Sequence, residues 1–325
     1  MIEPARESGS SVAAIQDRTA TLEQEEEIRR QHERRKVVAN LAAGAIAGAI
    51  AKTTVAPLDR TKIMFQVSHN RFSAKEAYKV IFRTYKNEGF FSLWRGNSAT
   101  MARVIPYAAI QFASHEQYKK MFRASYKKLK SPPPYTRFLA GSMAGVTASV
   151  CTYPLDMVRA RMAVTKKAKY SSLPDCFAHI IKEEGGLTLY RGFTPTILGV
   201  IPYAGTSFFT YETLKILLAD FTGGKEPNPI QRLIFGMLAG LFGQSASYPL
   251  DVIRRRMQTE GVTGNPCSSI LGTARMIIKE EGVRRGLYKG LSMNWVKGPI
   301  AVGISFTTFD LTQRTLHRLA MFKDT

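Results

Sequence analysis

Acidic residues are scarce in this chain of 325 residues. It has 25 Asp and Glu against 46 Lys and Arg, a formal net charge of +21. Cysteine is scarce too. Cys151, Cys176 and Cys267 form no CxxC pair and no Cys/His cluster, which excludes a disulfide scaffold and gives no zinc spacing. The five histidines, His32, His69, His115, His179 and His317, have no nucleophile or metal partner at a known spacing. No glycine-rich phosphate loop follows a strand. An enzyme is therefore not indicated, and neither a metal nor a cofactor is expected. The positive charge comes with no reader motif for nucleic acid. Residues 1–36 lack the apolar run of a secretory signal, and Glu23 to Glu27 make them too acidic for a transit peptide. They read as a soluble, mixed-charge extension.

What the chain does have is stretches without charge. Four run over 37–51, 138–155, 192–211 and 233–250, and two more, 96–115 and 290–309, hold single cations at Arg103 and Lys297. A helix needs about 20 residues to span a bilayer. These six segments approach that length, although they are rich in Gly, Ala, Ser and Thr. Taken singly, such runs also suit buried core helices of a soluble protein. The connections between them carry the charge excess. Residues 60–95 hold eight cations against two acids, 157–191 seven against three, and 252–289 eight against three. With six spans these basic connections share one side, and both termini face the other.

An internal repeat organises the chain. Pro57-Leu-Asp59-Arg60-Thr61-Lys62 recurs at Pro154 to Arg159 and at Pro249 to Arg254. Each copy is followed by Glu-Gly and then by an aromatic, a cation and glycine: Trp94-Arg95-Gly96, Tyr190-Arg191-Gly192 and Tyr288-Lys289-Gly290. The third copy carries one extra residue. Upstream of each proline lies a small-xxx-small pair (Gly44/Gly48, Gly141/Gly145, Gly236/Gly240) of the kind that lets helices approach closely in lipid.

On these motifs the chain resembles the mitochondrial carrier family, solute carrier family 25, from residue 37 to about 318. The resemblance implies an all-α membrane protein with six transmembrane helices in three pseudo-threefold repeats (37–124, 135–220 and 230–318) with short matrix helices. It also implies a monomer in the mitochondrial inner membrane, with both termini in the intermembrane space. Ser73 to Glu76 is a capping-box pattern for the first short helix. Ala77, Val80, Ile81 and Tyr85 would form its apolar face.

Asp59, Asp156 and Asp251, with Lys62, Arg159 and Arg254, put opposite charges three residues apart on each odd helix. Around a threefold axis these close a ring of ion pairs facing water. Local pairing along each helix is the alternative. The even helices suggest a second set, Glu116/Lys119, Glu212/Lys215 and Asp310/Gln313, in which Gln313 breaks the pattern. The resemblance implies that the first ring gates the matrix side and the second the cytoplasmic side, with alternating access between them. It implies glutamine braces at Gln66 and Gln258, which Ala163 lacks. It implies cardiolipin phosphates at Arg95-Gly96, Arg191-Gly192 and Lys289-Gly290; simple interfacial anchoring is the other reading.

An asymmetric substrate must be read by residues that break the symmetry. Five residues before the three prolines lie Lys52, Ser149 and Gln244. Seven after glycines 96, 192 and 290 lie Arg103, Gly199 and Lys297. Seven helical residues are roughly 10 Å of depth. Lys52, Arg103 and Lys297 are then intramembrane cations, functional by default, with snorkelling or pairing to a ring carboxylate as the alternative. Converging cations suit a ligand with several phosphates. Gly199, Val200 and Tyr203 offer backbone access, an aliphatic wall and an aromatic face, which suit a planar base. The resemblance implies adenine there and phosphates on the cations. Tyr107 is a second aromatic for the base or only packing. Residues 51–62, 71–77, 92–100 and 292–306 resemble the coenzyme A-carrying branch of the family. That implies import of coenzyme A in exchange for ADP, other adenine nucleotides or adenosine 3′,5′-diphosphate. An ADP/ATP or ATP-Mg/phosphate exchanger that does not accept coenzyme A is the alternative.

Overall fold

The computed structural model describes residues 39–40, 42–68, 70, 72–125, 134–264 and 269–318, together with Glu27. Cys267 and the rest of the N-terminal extension lie outside the described residues.

Among the described residues all regular structure is helical. A long helix, a short helix and a second long helix follow one another three times. The first trio is α1 (42–67), α2 (Ala74–Glu88) and α3 (Asn97–Ser125). The second is α4 (Pro134–Val164), α5 (Leu173–Glu184) and α6 (Phe193–Thr222). The third is α7 (Pro229–Thr263), α8 (Ile270–Glu281) and α9 (Leu291–Arg318). A helical turn links each short helix to the next long one: Phe90–Trp94, Gly186–Tyr190 and Val283–Leu287. The third turn is π-helical where the others are 3-10. It falls where the third repeat carries its extra residue.

The long helices run unbroken through Pro57, Pro154 and Pro249, and through Pro106, Pro202 and Pro299. Two contain a window long and apolar enough to cross a membrane on composition alone, Phe138–Val164 and Pro229–Thr263. Lysine, arginine and small polar residues dilute the others.

Local chemistry sets where helices start. Asn228 and Gln231 make a full capping box at α7, with bonds of 2.8 and 2.9 Å. Ser172 caps α5 and Ser269 caps α8. The box expected at α2 does not form. Ser73 is in extended backbone at the N-cap, but its side chain makes no cap bond, and Glu76 pairs instead with Lys79 at 2.8 Å. The buried face of α2 also differs from expectation. Ala77 and Thr84 are buried, while Tyr85 is half exposed and packs edge-on against Phe90. In the second repeat Val158, Met162, Tyr170, Cys176, Ile180 and Leu189 form one apolar cluster. In the third repeat Tyr248, Val252, Ile253, Ile277 and Leu287 form its counterpart.

The repeated glycines do not mediate close approach. A Cβ built on Gly44, Gly48, Gly141, Gly145, Gly236 or Gly240 would meet nothing within 4 Å. Alanines beside them are the buried residues, among them Ala43, Ala47, Ala140, Ala144 and Ala148. Close approach occurs instead at Gly243, where a Cβ would strike Ser207 and the Tyr203 carbonyl.

Two compact units are present. One is Ala51–Gly303; the other combines the described residues before Ala51 with those after Gly303. In the second, Gln313 donates to the Asn40 side chain at 3.1 Å and ties α9 to α1.

Candidate functional site

The six residues of the proline motifs meet across repeats, not along their own helices. Arg159 on α4 reaches Asp59 on α1 at 2.8 Å. Arg254 on α7 pairs with Asp156 on α4. Lys62 on α1 reaches Asp251 on α7 at 2.8 Å. Each cation bonds the acid of another repeat, so the three pairs close a ring. Asp156 is only 6% exposed, and a carboxylate buried that far needs its partners.

Two of the three acids hold a second cation from an even-numbered long helix of the repeats, α3 or α9. Arg103 on α3 bonds Asp156 at 2.6 Å, and Lys297 on α9 bonds Asp59 at 2.6 Å. These are two of the three intramembrane cations that the repeat arithmetic singles out, and they adopt the alternative of pairing with ring carboxylates. Arg103 is further held by the Thr152 hydroxyl at 3.1 Å, and its guanidinium lies 5.0 Å from the Tyr107 ring centroid. Tyr107 thus packs on Arg103 as a cation–π partner. Lys52 is exposed and makes no ion pair with any described residue.

The third acid is served differently, because Gly199 stands where a second cation would be. Asp251 accepts from Gln66 Nε2 at 3.1 Å and faces Arg255 Nε at 3.9 Å. Gln66 therefore contacts the acid of the Lys62–Asp251 pair. Gln258 does not brace its own. It donates to the Tyr153 hydroxyl at 2.9 Å and accepts from Arg255 at 3.0 Å, and among the described residues it makes no bond to the Asp156–Arg254 pair. Tyr153 precedes Pro154 and intercepts the amide.

Gly199, Val200 and Tyr203 on α6 face Gln244, Ser247, Leu250, Asp251 and Arg254 on α7 across a cavity of about 220 Å³. Its walls are apolar and aromatic, and its floor is charged. Thr196, Gln244 and Ser247 add neutral polar groups. The side-chain amide of Gln244 engages no described residue.

Two members of the second set pair locally. Glu116–Lys119 at 3.5 Å and Glu212–Lys215 at 4.0 Å are pairs within α3 and within α6, all about half exposed. Asp310 is exposed, and Gln313 bonds Asn40.

The cations after each aromatic point to protein groups. Arg95 donates to the carbonyls of Met162, Lys166 and Tyr170 at 2.8 to 2.9 Å. Arg191 pairs with Glu260 at 2.9 Å, and Lys289 donates to the Ser68 carbonyl at 2.7 Å. All three therefore sit against the C-terminal end of a long helix in another repeat, where the helix dipole favours a cation. The glycines that follow have φ of 88°, 83° and 81°. A Cβ at Gly96 would lie 3.0 Å from the Arg159 carbonyl, and one at Gly192 would lie 3.1 Å from that of Arg254. Only glycine fits both the backbone and the space.

Sequence reasoning missed a second inter-repeat network. Arg161 pairs with Glu184 and donates its Nε to the Gln258 carbonyl at 3.0 Å. Arg256 pairs with Glu281 and donates to the Gln66 carbonyl at 3.1 Å. In the first repeat Met64 occupies the equivalent position, and Arg60, four residues earlier, substitutes. It pairs with Glu88 at 2.9 Å and donates to the Ala163 carbonyl at 3.0 Å. The signal was present in the three Glu-Gly pairs and in the arginine seven residues after two of the prolines. The shifted arginine of the first repeat hid the rule.

The chain has known relatives. The family model described as "Mitochondrial carrier protein" matches residues 33–126, 130–222 and 225–319. A mitochondrial coenzyme A transporter of Danio rerio is 68% identical over 288 residues, 88% of this chain and 90% of that protein. Its namesake in Homo sapiens is 63% identical over 305 residues, covering 94% and 95%. Solute carrier family 25 member 16 of Homo sapiens is 40% identical over 292 residues, covering 85% and 87%. Three matched repeats, three cross-repeat ion pairs and this level of identity lead to one conclusion: the chain belongs to the mitochondrial carrier family.

Proposed function

We propose that the protein imports coenzyme A across the mitochondrial inner membrane in exchange for matrix ADP, other adenine nucleotides or adenosine 3′,5′-diphosphate. The observation that carries this reading is a slot of about 220 Å³ at Gly199, Val200 and Tyr203 whose floor includes Arg254, which shares Asp156 with Arg103; Lys52 and Lys297 add to the cations this reading gives to the phosphates. The relatives named as coenzyme A transporters share about two thirds of their residues with this chain. Coenzyme A and ADP have in common an adenine and a run of phosphates, so one slot and one set of cations serves both.

The ring of Asp59, Lys62, Asp156, Arg159, Asp251 and Arg254, braced by Gln66, acts as the matrix gate. Gln258 supports it through Tyr153 and Arg255. Glu116, Lys119, Glu212, Lys215, Asp310 and Gln313 form the cytoplasmic gate when the first one opens. In the conformation described here the first set pairs between repeats, while Glu116–Lys119 and Glu212–Lys215 pair within their own helices. Arg103 and Lys297 link substrate to gate. Phosphates that take them from Asp156 and Asp59 leave each acid with a single cation and loosen two of the three pairs. Lys52 is free to meet the phosphates first. Cardiolipin phosphates bind at Gly96, Gly192 and Gly290 through backbone N–H groups, because Arg95, Arg191 and Lys289 are held by protein. The carrier works as a monomer with both termini in the intermembrane space.

The test is uptake of labelled coenzyme A into liposomes that contain the purified protein. Uptake should require internal ADP and be competed by external adenosine 3′,5′-diphosphate. Arg103→Ala and Lys297→Ala should each abolish it while the protein remains folded. Labelled ADP exchange without coenzyme A uptake would make the protein an adenine nucleotide exchanger. Full activity in either variant would remove the assignment of these cations.

A further inference from the structure

Arg254 on the floor of the base slot and its neighbour Arg255 on α7 each hold a buried donor with no hydrogen-bond partner among the described residues. In both it is the Nε–H that is left unpaired among the described residues. A buried N–H left unpaired is costly and signals an absent acceptor. Arg254 lines the slot directly, beside Asp251. Arg255 is its neighbour on α7 and faces the same Asp251 at 3.9 Å, too far for a hydrogen bond.

Symmetry makes Arg255 the exception. The equivalent positions, six residues after the other two prolines, are Ile63 and Ala160. Both are buried and apolar in their own repeats. A third-repeat arginine at this point is therefore not needed to build the helix. It also sits in the one sector where the even helix supplies Gly199 in place of a cation. Arg103 and Lys297 serve the other two sectors.

We propose that Arg255, with the free edge of Arg254, forms a subsite for a phosphate carried on the ribose next to the base, the 3′-phosphate of coenzyme A and of adenosine 3′,5′-diphosphate. The inference rests on adenine occupying the slot of Gly199 and Tyr203. With the base there, the 5′-phosphates lead away toward Lys52, Arg103 and Lys297. A phosphate on the ribose itself stays within one sugar of the slot, over the two orphan donors. A guanidinium suits it, because its fork meets phosphate oxygens with two N–H groups.

Coenzyme A and dephospho-coenzyme A differ only in this phosphate, so their ratio is the measurement. Each would be titrated against the full-length purified protein, reading ligand-induced thermal stabilisation, and then as a competitor of labelled ADP uptake in liposomes. The wild type should prefer coenzyme A at least tenfold, the span of one charge-assisted hydrogen bond. Arg255→Gln should bring the ratio close to one, and Arg255→Lys should retain part of the preference. Adenosine 3′,5′-diphosphate should lose its advantage over the 2′,5′ isomer in the same variant. Inorganic phosphate should compete equally weakly against all three proteins.

An unchanged ratio in Arg255→Gln would overturn the subsite. So would an equal loss for both ligands, which marks Arg255 as a support of Asp251 alone. A wild type that binds both ligands without preference would overturn the subsite and leave the adenine slot standing. A wild type that responds to no adenine nucleotide would overturn the slot and the subsite together. If neither Arg255 variant folds, the wild-type ratio alone decides: a preference under tenfold overturns the subsite.

Discussion

Asp59 is the residue whose removal tests the arrangement of the ring most sharply. It is 15% exposed and holds two cations, Arg159 at 2.8 Å and Lys297 at 2.6 Å. Asp59→Asn leaves both cations together without an acid. Breaking a buried pair by removing one partner costs about 3–5 kcal/mol. For a chain of this size that is a fall in melting temperature of about 6–10 °C. Lys297→Gln should cost less, because Asp59 keeps Arg159; the loss is one charge-assisted hydrogen bond, about 1.5–3 kcal/mol or roughly 3–6 °C. Arg159→Gln should match Lys297→Gln. The double variant Asp59→Asn/Lys297→Gln should melt above Asp59→Asn alone, since one orphaned charge has gone. The assay is thermal unfolding of the purified protein in detergent with cardiolipin, with all four variants measured side by side. The reasoning fails if Asp59→Asn and Arg159→Gln melt alike while Lys297→Gln equals the wild type. That result would leave a single ion pair at this corner and no link between Lys297 and the gate.

Arg161→Met places the first repeat's residue into the second, strips Glu184 of its partner and frees the Gln258 carbonyl; a fall of about 6–10 °C in melting temperature is expected, and Glu184→Gln should recover part of it in the double variant. Gly96→Ala should lower the melting temperature by several degrees, because its backbone has φ of 88° and the new Cβ would lie 3.0 Å from the Arg159 carbonyl. Gly141→Ala should be neutral or raise stability by up to about 1 kcal/mol, since a Cβ there meets nothing within 4 Å and alanine favours the helix; a large loss in the same melting assay would restore the close-approach reading of that glycine. Cys176 is buried, and burial pushes its thiol up to about 12. Cys151 is exposed. N-ethylmaleimide at neutral pH should therefore modify Cys151 and spare Cys176 until the protein unfolds, read by peptide mass spectrometry.

The linear chain already carried the repeat, the six long helices and the identity of the ring charges. Those are matters of spacing, and spacing survives without a structure. Three copies of Pro-Leu-Asp at intervals of 97 and 95 residues fix which residues are equivalent. Equivalence then exposes Lys52, Arg103, Gly199 and Lys297 as exceptions. What spacing cannot say is which partner a charge chooses. Asp59 and Lys62 stand one helical turn apart, and sequence alone allows them to pair with each other. Only the tertiary structure sends Lys62 to Asp251 and brings Arg159 to Asp59, because helices from different repeats converge at that depth. The same convergence turns Arg103 and Lys297 from lone cations into second partners of the ring. It turns Gln258 toward Tyr153 and makes the alanines, not the glycines, the buried stripe. Repetition along the chain names the participants, but a buried charge binds whichever opposite charge the folded helices bring within about 3 Å. That distance does not exist until the repeats close on one another.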